Sequence, residues 1–173
     1  RDCLEWFSST YLRDDEGVLL YPYWAAEDAG YYRDVEQGVL SRLPITSART
    51  FVGTDLTSIE RHGVGWDSVP VNVESIDFQR SPLLVEVEAP GGWKLTLLVL
   101  HQKAGRSNWH REYEALGILE IVEDLAREDP HRNIAILGDL NTQPYGKSLR
   151  LYQEAGFVDT MAHRSTNPLY NPD

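Results

Sequence analysis

Three polar side chains stand where apolar runs end, and their types suit proton transfer and oxyanion chemistry: His101, Asp139 and Asn141. His101 directly follows the apolar run Trp93 to Leu100, and Asp139 follows Ile134 to Leu137 and Gly138. Asp139 and Asn141 are two apart, so in an extended segment they project to the same side. The carboxylate can take a proton or face a metal, and the carboxamide both donates and accepts hydrogen bonds. A histidine N–H can stabilise negative charge on a phosphate or other oxyanion. The same residues also have a plainer reading. Asp139 or Asn141 bonds nearby backbone in an Asx turn, and His101 is a strand-end histidine satisfied by backbone. Lys103, one alternation past His101, adds positive charge to such a site or is simply solvated.

The elements that must hold these residues are legible from hydrophobic spacing. Ile134 to Leu137 is short, apolar and rich in branched residues, the pattern of a strand buried on both faces. Leu83 to Glu88, the turn Ala89-Pro90-Gly91-Gly92 and Trp93 to Leu100 read as a hairpin whose second arm becomes continuously apolar and central. Asn108 is a candidate cap for a helix whose Trp109, Tyr113, Leu116, Leu119, Val122 and Leu125 form an apolar stripe. Its Arg111, Glu112, Glu120, Glu123 and Asp124 read as a solvated face, and Asp129-Pro130 ends it. Asp2 to Leu12 reads as an amphipathic helix with Glu5 exposed, and Val18 to Trp24 as an edge strand because of Pro22. Ala25 to Arg33 reads as a surface loop, Gly38 to Ser41 as a strand, Arg49 to Ile59 as an exposed strand and Arg61 to Pro70 as a loop. Lys147 to Glu154 reads as a helix stopped by Gly156, and the residues beyond Asp159 as a loop. Hairpins followed by helices imply α/β or α+β layering rather than simple βαβ alternation.

Composition narrows the function classes. The 173 residues fit one domain spanning 1–173, with no linker to divide it. The formal net charge of −11 argues against a protein that coats nucleic acid, but not against an enzyme that meets phosphates at one pocket. Cys3 is the single cysteine, which excludes an internal disulfide and a cysteine-based metal site. No apolar run approaches the ~20 residues of a membrane-spanning helix. Position 1 is Arg, so the chain reads as a processed or excised piece.

Three segments taken together resemble, in order, the endonuclease/exonuclease/phosphatase superfamily. They are Leu40-Ser41-Arg42-Leu43-Pro44-Ile45, His101-Gln102-Lys103 and Gly138-Asp139-Leu140-Asn141. The family patterns are L-S-R-x-P-I, H-L-K and G-D-F-N, so Gln102 and Leu140 are mild departures. Gly156-Phe157-Val158-Asp159 is similar to the family's G-F-x-D. The resemblance covers Gly38 to Asp159. It implies a four-layer α/β sandwich, with two mixed sheets face to face and helices outside. It also implies a divalent-metal-dependent phosphoesterase. Asp139 would orient or deprotonate the attacking water, Asn141 would hold that water and a phosphate oxygen, and His101 would bond a non-bridging oxygen. Mg²⁺ or Mn²⁺ at Asp139 and Asn141 would neutralise the developing charge.

The departures bear on how much of the family's machinery is here. The family's opening Asn strand and the strand ending in L-Q-E, whose Glu is the main metal ligand, are absent; Leu4-Glu5-Trp6 has helical spacing instead. The closing D-Y/H-I strand and S-D-H are absent too, so the sandwich is expected to be incomplete at both ends. Two functions compete. One is hydrolysis of a phosphate ester, in a nucleic acid or a small phosphorylated molecule. The other is a catalytically inactive fold kept as a binding or structural module. Trp66 is a candidate substrate-facing aromatic, whereas Trp109 fits a helix core.

Overall fold

The computed structural model describes residues 2–32 and 36–160. The elements in chain order are α1 (Asp2–Tyr11), β1 (Tyr23–Ala26), β2 (Gly38–Ser41), β3 (Ile45–Thr50), β4 (Leu83–Glu88), β5 (Lys94–His101), α2 (Asn108–Glu128), β6 (Asn133–Asp139) and α3 (Lys147–Glu154). β1 and β2 form an antiparallel pair, and β3-β4-β5-β6 form a mixed sheet in which β5 and β6 run parallel. This is an α/β fold built on two sheets.

Strand alternation sets the layers. Leu84, Leu98 and Leu100 point to one face and pack with Ala115, Ile118, Ile121 and Leu125 of α2 and with Leu151 and Tyr152 of α3. Leu83, Val85, Val87 and Val99 point to the other face and pack with Ala25, Val39 and Leu43. α1 lies on the far side of β1, with Leu4 pressed against Gly38. The order is therefore helix, small sheet, large sheet, helices. Leu98 is completely buried between the large sheet and the helices, and burial of such a side chain contributes about 1.5–3 kcal/mol.

The expected hairpin is present, closed by Ala89 N–H donating to Trp93 O at 2.8 Å. Other expectations need correction. β1 starts only at Tyr23, because Pro22 has no N–H to pair. The stretch read as a surface loop after it instead buries Ala25, Ala26 and Ala29, and Ala25 packs between the two sheets; Arg33 lies outside the described residues. The exposed strand expected at Arg49 to Ile59 sits earlier, at Ile45–Thr50, where its partners on β4 are; Phe51 onward is irregular, with Gly53 at positive φ.

α2 has the expected extent but a different buried face. Its N-cap is Ser107, and the side-chain oxygen of Asn108 instead accepts from Arg111. The buried positions are Arg111, Glu112, Glu114, Ala115, Gly117, Ile118, Ile121 and Leu125. Leu116, Leu119 and Val122 are only partly buried at the margin of the same core. Arg111 and Glu112, expected in solvent, are inside, whereas Glu120, Glu123 and Asp124 are exposed.

β6 is a strand, but it is not buried on both faces as expected. Ile134, Ala135 and Ile136 are half-buried and Leu137 is 42% exposed. The cause is position. Among the described residues β6 pairs with β5 alone, and β1 and β2 pack over β3 and β4 at the other side of the sheet. The closing loop expected beyond Asp159 lies, from residue 161, outside the described residues.

Candidate active site at the ends of β5 and β6

The parallel ladder brings the end of β5 beside the end of β6, and His101 and Asp139 are register partners in it. His101 Nε2 lies 3.8 Å from Asp139 Oδ2. Gly138 makes this possible. Its φ is +122°, and a Cβ there would stand 2.1 Å from Leu100 O, so only glycine lets β6 pass this close to β5. The chain then turns at Asn141, which adopts a left-handed φ of 47° that asparagine tolerates better than most residues. Asn141 N–H donates to Asp139 Oδ1 at 2.8 Å, so the Asx turn is also present. Asn141 Nδ2 donates to Gln102 O at 2.9 Å, which leaves the amide oxygen as its free end. His101, Asp139 and Asn141 thus lie together at the carboxyl ends of parallel strands, the usual ligand position in open α/β sheets.

Buried charges fix the strand end that carries His101. Arg80 donates to His101 O at 3.3 Å and to Gln102 O at 3.4 Å. Glu114 accepts Lys103 N–H at 2.8 Å, and Arg111 donates to Lys103 O at 2.7 Å and Gly105 O at 2.9 Å. Gln102 N–H donates to Asp139 O at 2.9 Å, and its side-chain amide donates to the Tyr152 hydroxyl at 3.2 Å. Sequence reasoning missed Arg80, Glu114 and this role of Arg111. The signal was available for Glu114. It falls in step with Ile118, Ile121 and Leu125 on an apolar helical stripe, where a charge needs partners.

The cleft at this edge has a volume of about 830 Å³, and Asp139, Asn141, Thr142, Lys147, Ser148 and Arg150 are among its lining residues. Asp139 is 62% exposed and opens into it. His101 sits just behind, half-buried, beside Arg80, Gln102 and Glu114. Burial holds the His101 imidazole below its ordinary pKa and the Arg80 charge adds to this, while Asp139 pulls the other way. Three cations (Arg111, Lys147, Arg150) and three carboxylates (Asp67, Glu112, Asp139) line the cleft, a local balance unlike that of the whole chain. Burial pushes the Glu112 carboxyl up, although it accepts Asp67 N–H and pairs with Arg61 at 3.3 Å. Lys103 is half-buried. Trp66 packs against the main core with Arg61 and Lys147 over its ring, and Trp109 lies partly exposed beside His110.

The fit to a divalent cation is incomplete. Asp139 and Asn141 bring two oxygen donors and one formal negative charge, and Asp139 Oδ1 already accepts the Asn141 N–H. Among the described residues no group of three or more histidine, cysteine or acidic side chains converges to hold a metal. A metal here requires donors beyond this set.

The α/β fold is shared with a solved structure described as a functionally unknown conserved protein from Enterococcus faecalis V583. The TM-score is 0.51 at 13% identity, over 83% of this chain and 53% of that one, so the chain spans about half the length of that structure. No family model matches the chain, and no curated protein does.

Proposed function

We propose that the chain carries the phosphate-facing centre of a divalent-metal-dependent phosphoesterase of the endonuclease/exonuclease/phosphatase type. The observation that carries this reading is the joining of His101, Asp139 and Asn141 at the ends of β5 and β6, beside an open cleft. Asp139, open to solvent, takes the proton of an attacking water. Asn141 orients that water through its amide oxygen, because its Nδ2 is committed to Gln102. His101, kept neutral near pH 7 by burial and Arg80, donates one ring N–H to a non-bridging phosphate oxygen. Lys147 and Arg150 offset the charge that a phosphate ester brings into an acidic protein. Mg²⁺ or Mn²⁺, when bound, supplies further charge neutralisation. The substrate is a phosphate ester, in nucleic acid or in a small phosphorylated molecule.

The short donor set at Asp139 and Asn141 favours a second reading, a fold of this type that binds without hydrolysing. Metal-dependent release of 4-nitrophenol from bis(4-nitrophenyl) phosphate by the full-length protein separates the two. Turnover that needs Mg²⁺ or Mn²⁺ supports the enzyme, and its absence under both metals supports the binding module. Among the described residues no helix is long and apolar enough to cross a membrane.

A further inference from the structure

Glu114 is 1% exposed, yet it stands on α2 between two chain segments that arrive from different parts of the molecule. One carboxylate oxygen accepts Gln79 N–H at 3.0 Å, and the other accepts Lys103 N–H at 2.8 Å. A buried carboxylate is unfavourable unless such partners satisfy it. Gln79 leads through Arg80 into β4, and Lys103 lies two residues past His101. Arg80 reaches back from the first segment to the carbonyls of His101 and Gln102. Gln102 O also accepts Asn141 Nδ2. A short path therefore runs from Glu114 through Lys103 and Gln102 to Asn141, and one step back along the strand to His101.

We infer that Glu114 is a positioning residue, which fixes the separation of His101 and Asn141 by holding Lys103 and Gln79 at the same time. Both oxygens are used as acceptors, so shape alone cannot replace it. A glutamine offers one oxygen and one NH₂, and must turn a donor toward one of the two backbone N–H groups. Burial pushes the Glu114 carboxyl up to about 7, against the pull of the two backbone N–H groups, Arg80 and Lys103. His110, 3.8 Å away on the same helix, and the Tyr152 hydroxyl of α3 also face it. Protonation near neutral pH turns one acceptor into a donor and loosens one of the two bonds. The device is strongest when Glu114 is ionised.

The test has two arms. The first needs no reaction: the Asn141 side-chain amide and the His101 ring are followed by NMR through neutral pH, in wild type and in Glu114→Gln. Both reporters are expected to follow a titration with a midpoint close to 7 in wild type, and to lose it and be displaced in Glu114→Gln. Burial holds the His101 and His110 rings below their ordinary value, so a titration that persists in Glu114→Gln belongs to them and not to Glu114. A Glu114→Gln protein with unmoved reporters overturns the inference. If Glu114→Gln fails to fold, Glu114→Asp, which keeps both acceptor oxygens on a shorter stem, is followed with the same two reporters, and unmoved reporters again overturn the inference. The second arm rests on the hydrolytic reading. With bis(4-nitrophenyl) phosphate, Glu114→Gln should lower kcat about 10–100-fold, leave KM nearly unchanged and lose the acid limb near 7. Unchanged kcat overturns the inference. A wild type that does not turn over the diester defeats the hydrolytic reading, and the first arm then decides the positioning role alone.

Discussion

His101 and Asp139 face each other across the last rung of the parallel β5–β6 ladder, with Nε2 3.8 Å from Oδ2. The pair is asymmetric. Asp139 opens to the cleft, whereas His101 is half-buried against Arg80 and Glu114. Burial and the Arg80 charge together outweigh the attraction of Asp139, so the folded protein prefers the neutral imidazole.

The His101 resonances should therefore titrate below the ordinary 6.5, and Asp139→Asn should lower the midpoint further by removing the one contribution that raises it. The sign for stability follows. The unfolded chain takes up this proton first, so the His101 contribution is lost as pH falls below about 6.5. His101→Ala should cost about 10²–10³ in turnover, the scale of losing one oxyanion donor. Steady-state kinetics beside an NMR titration checks both statements.

Gly138→Ala should damage both fold and site. The added Cβ would meet the Leu100 carbonyl, which is backbone and cannot swing aside, and φ is +122°. A loss of at least about 1–3 kcal/mol is expected from the backbone conformation alone, read by urea unfolding. Asp139 is the next residue, so activity should fall further than stability explains.

Glu114 makes stability and function oppose each other in pH. Its folded value of about 7 lies above the ordinary 4.5, so its stabilising contribution is full below 4.5 and is lost as pH rises through about 7. The amount is on the order of 3 kcal/mol. Unfolding midpoints taken across this range should decline with rising pH in wild type and decline less in Glu114→Gln.

Among the described residues the outer edge of β6 has no strand partner, and it should drive association of this chain. Leu137 is 42% exposed, Val158 is exposed, and an apolar groove runs beside them between Ile136, Leu140 and Leu149. Exposed strand edges with apolar side chains pair with other chains. Sedimentation should show self-association that weakens in Leu137→Lys.

Much of this architecture was legible in the sequence. The hairpin, α2, β6 and α3 follow from local spacing and turn residues, and local chemistry decides them. What failed was long-range. Leu137 belongs to an apolar run that reads as buried, but its exposure depends on where the small sheet sits. Arg111 reads as a solvated charge on a helix, and Glu114 shows from its place on the apolar stripe only that it needs partners, not which ones. They are buried because the segments ending at Gln79 and Lys103 bring backbone N–H and C=O groups to meet them, and no local pattern encodes that meeting. His101, Asp139 and Asn141 were legible as types at strand ends, and their proximity comes from the β5–β6 register.

The most direct measurement is Mg²⁺- or Mn²⁺-dependent hydrolysis of bis(4-nitrophenyl) phosphate by the full-length protein and its Asp139→Asn variant. An amide cannot accept the proton of the attacking water, so turnover in the variant should fall by several orders of magnitude while the fold persists. An Asp139→Asn protein that works normally would place the catalytic centre elsewhere.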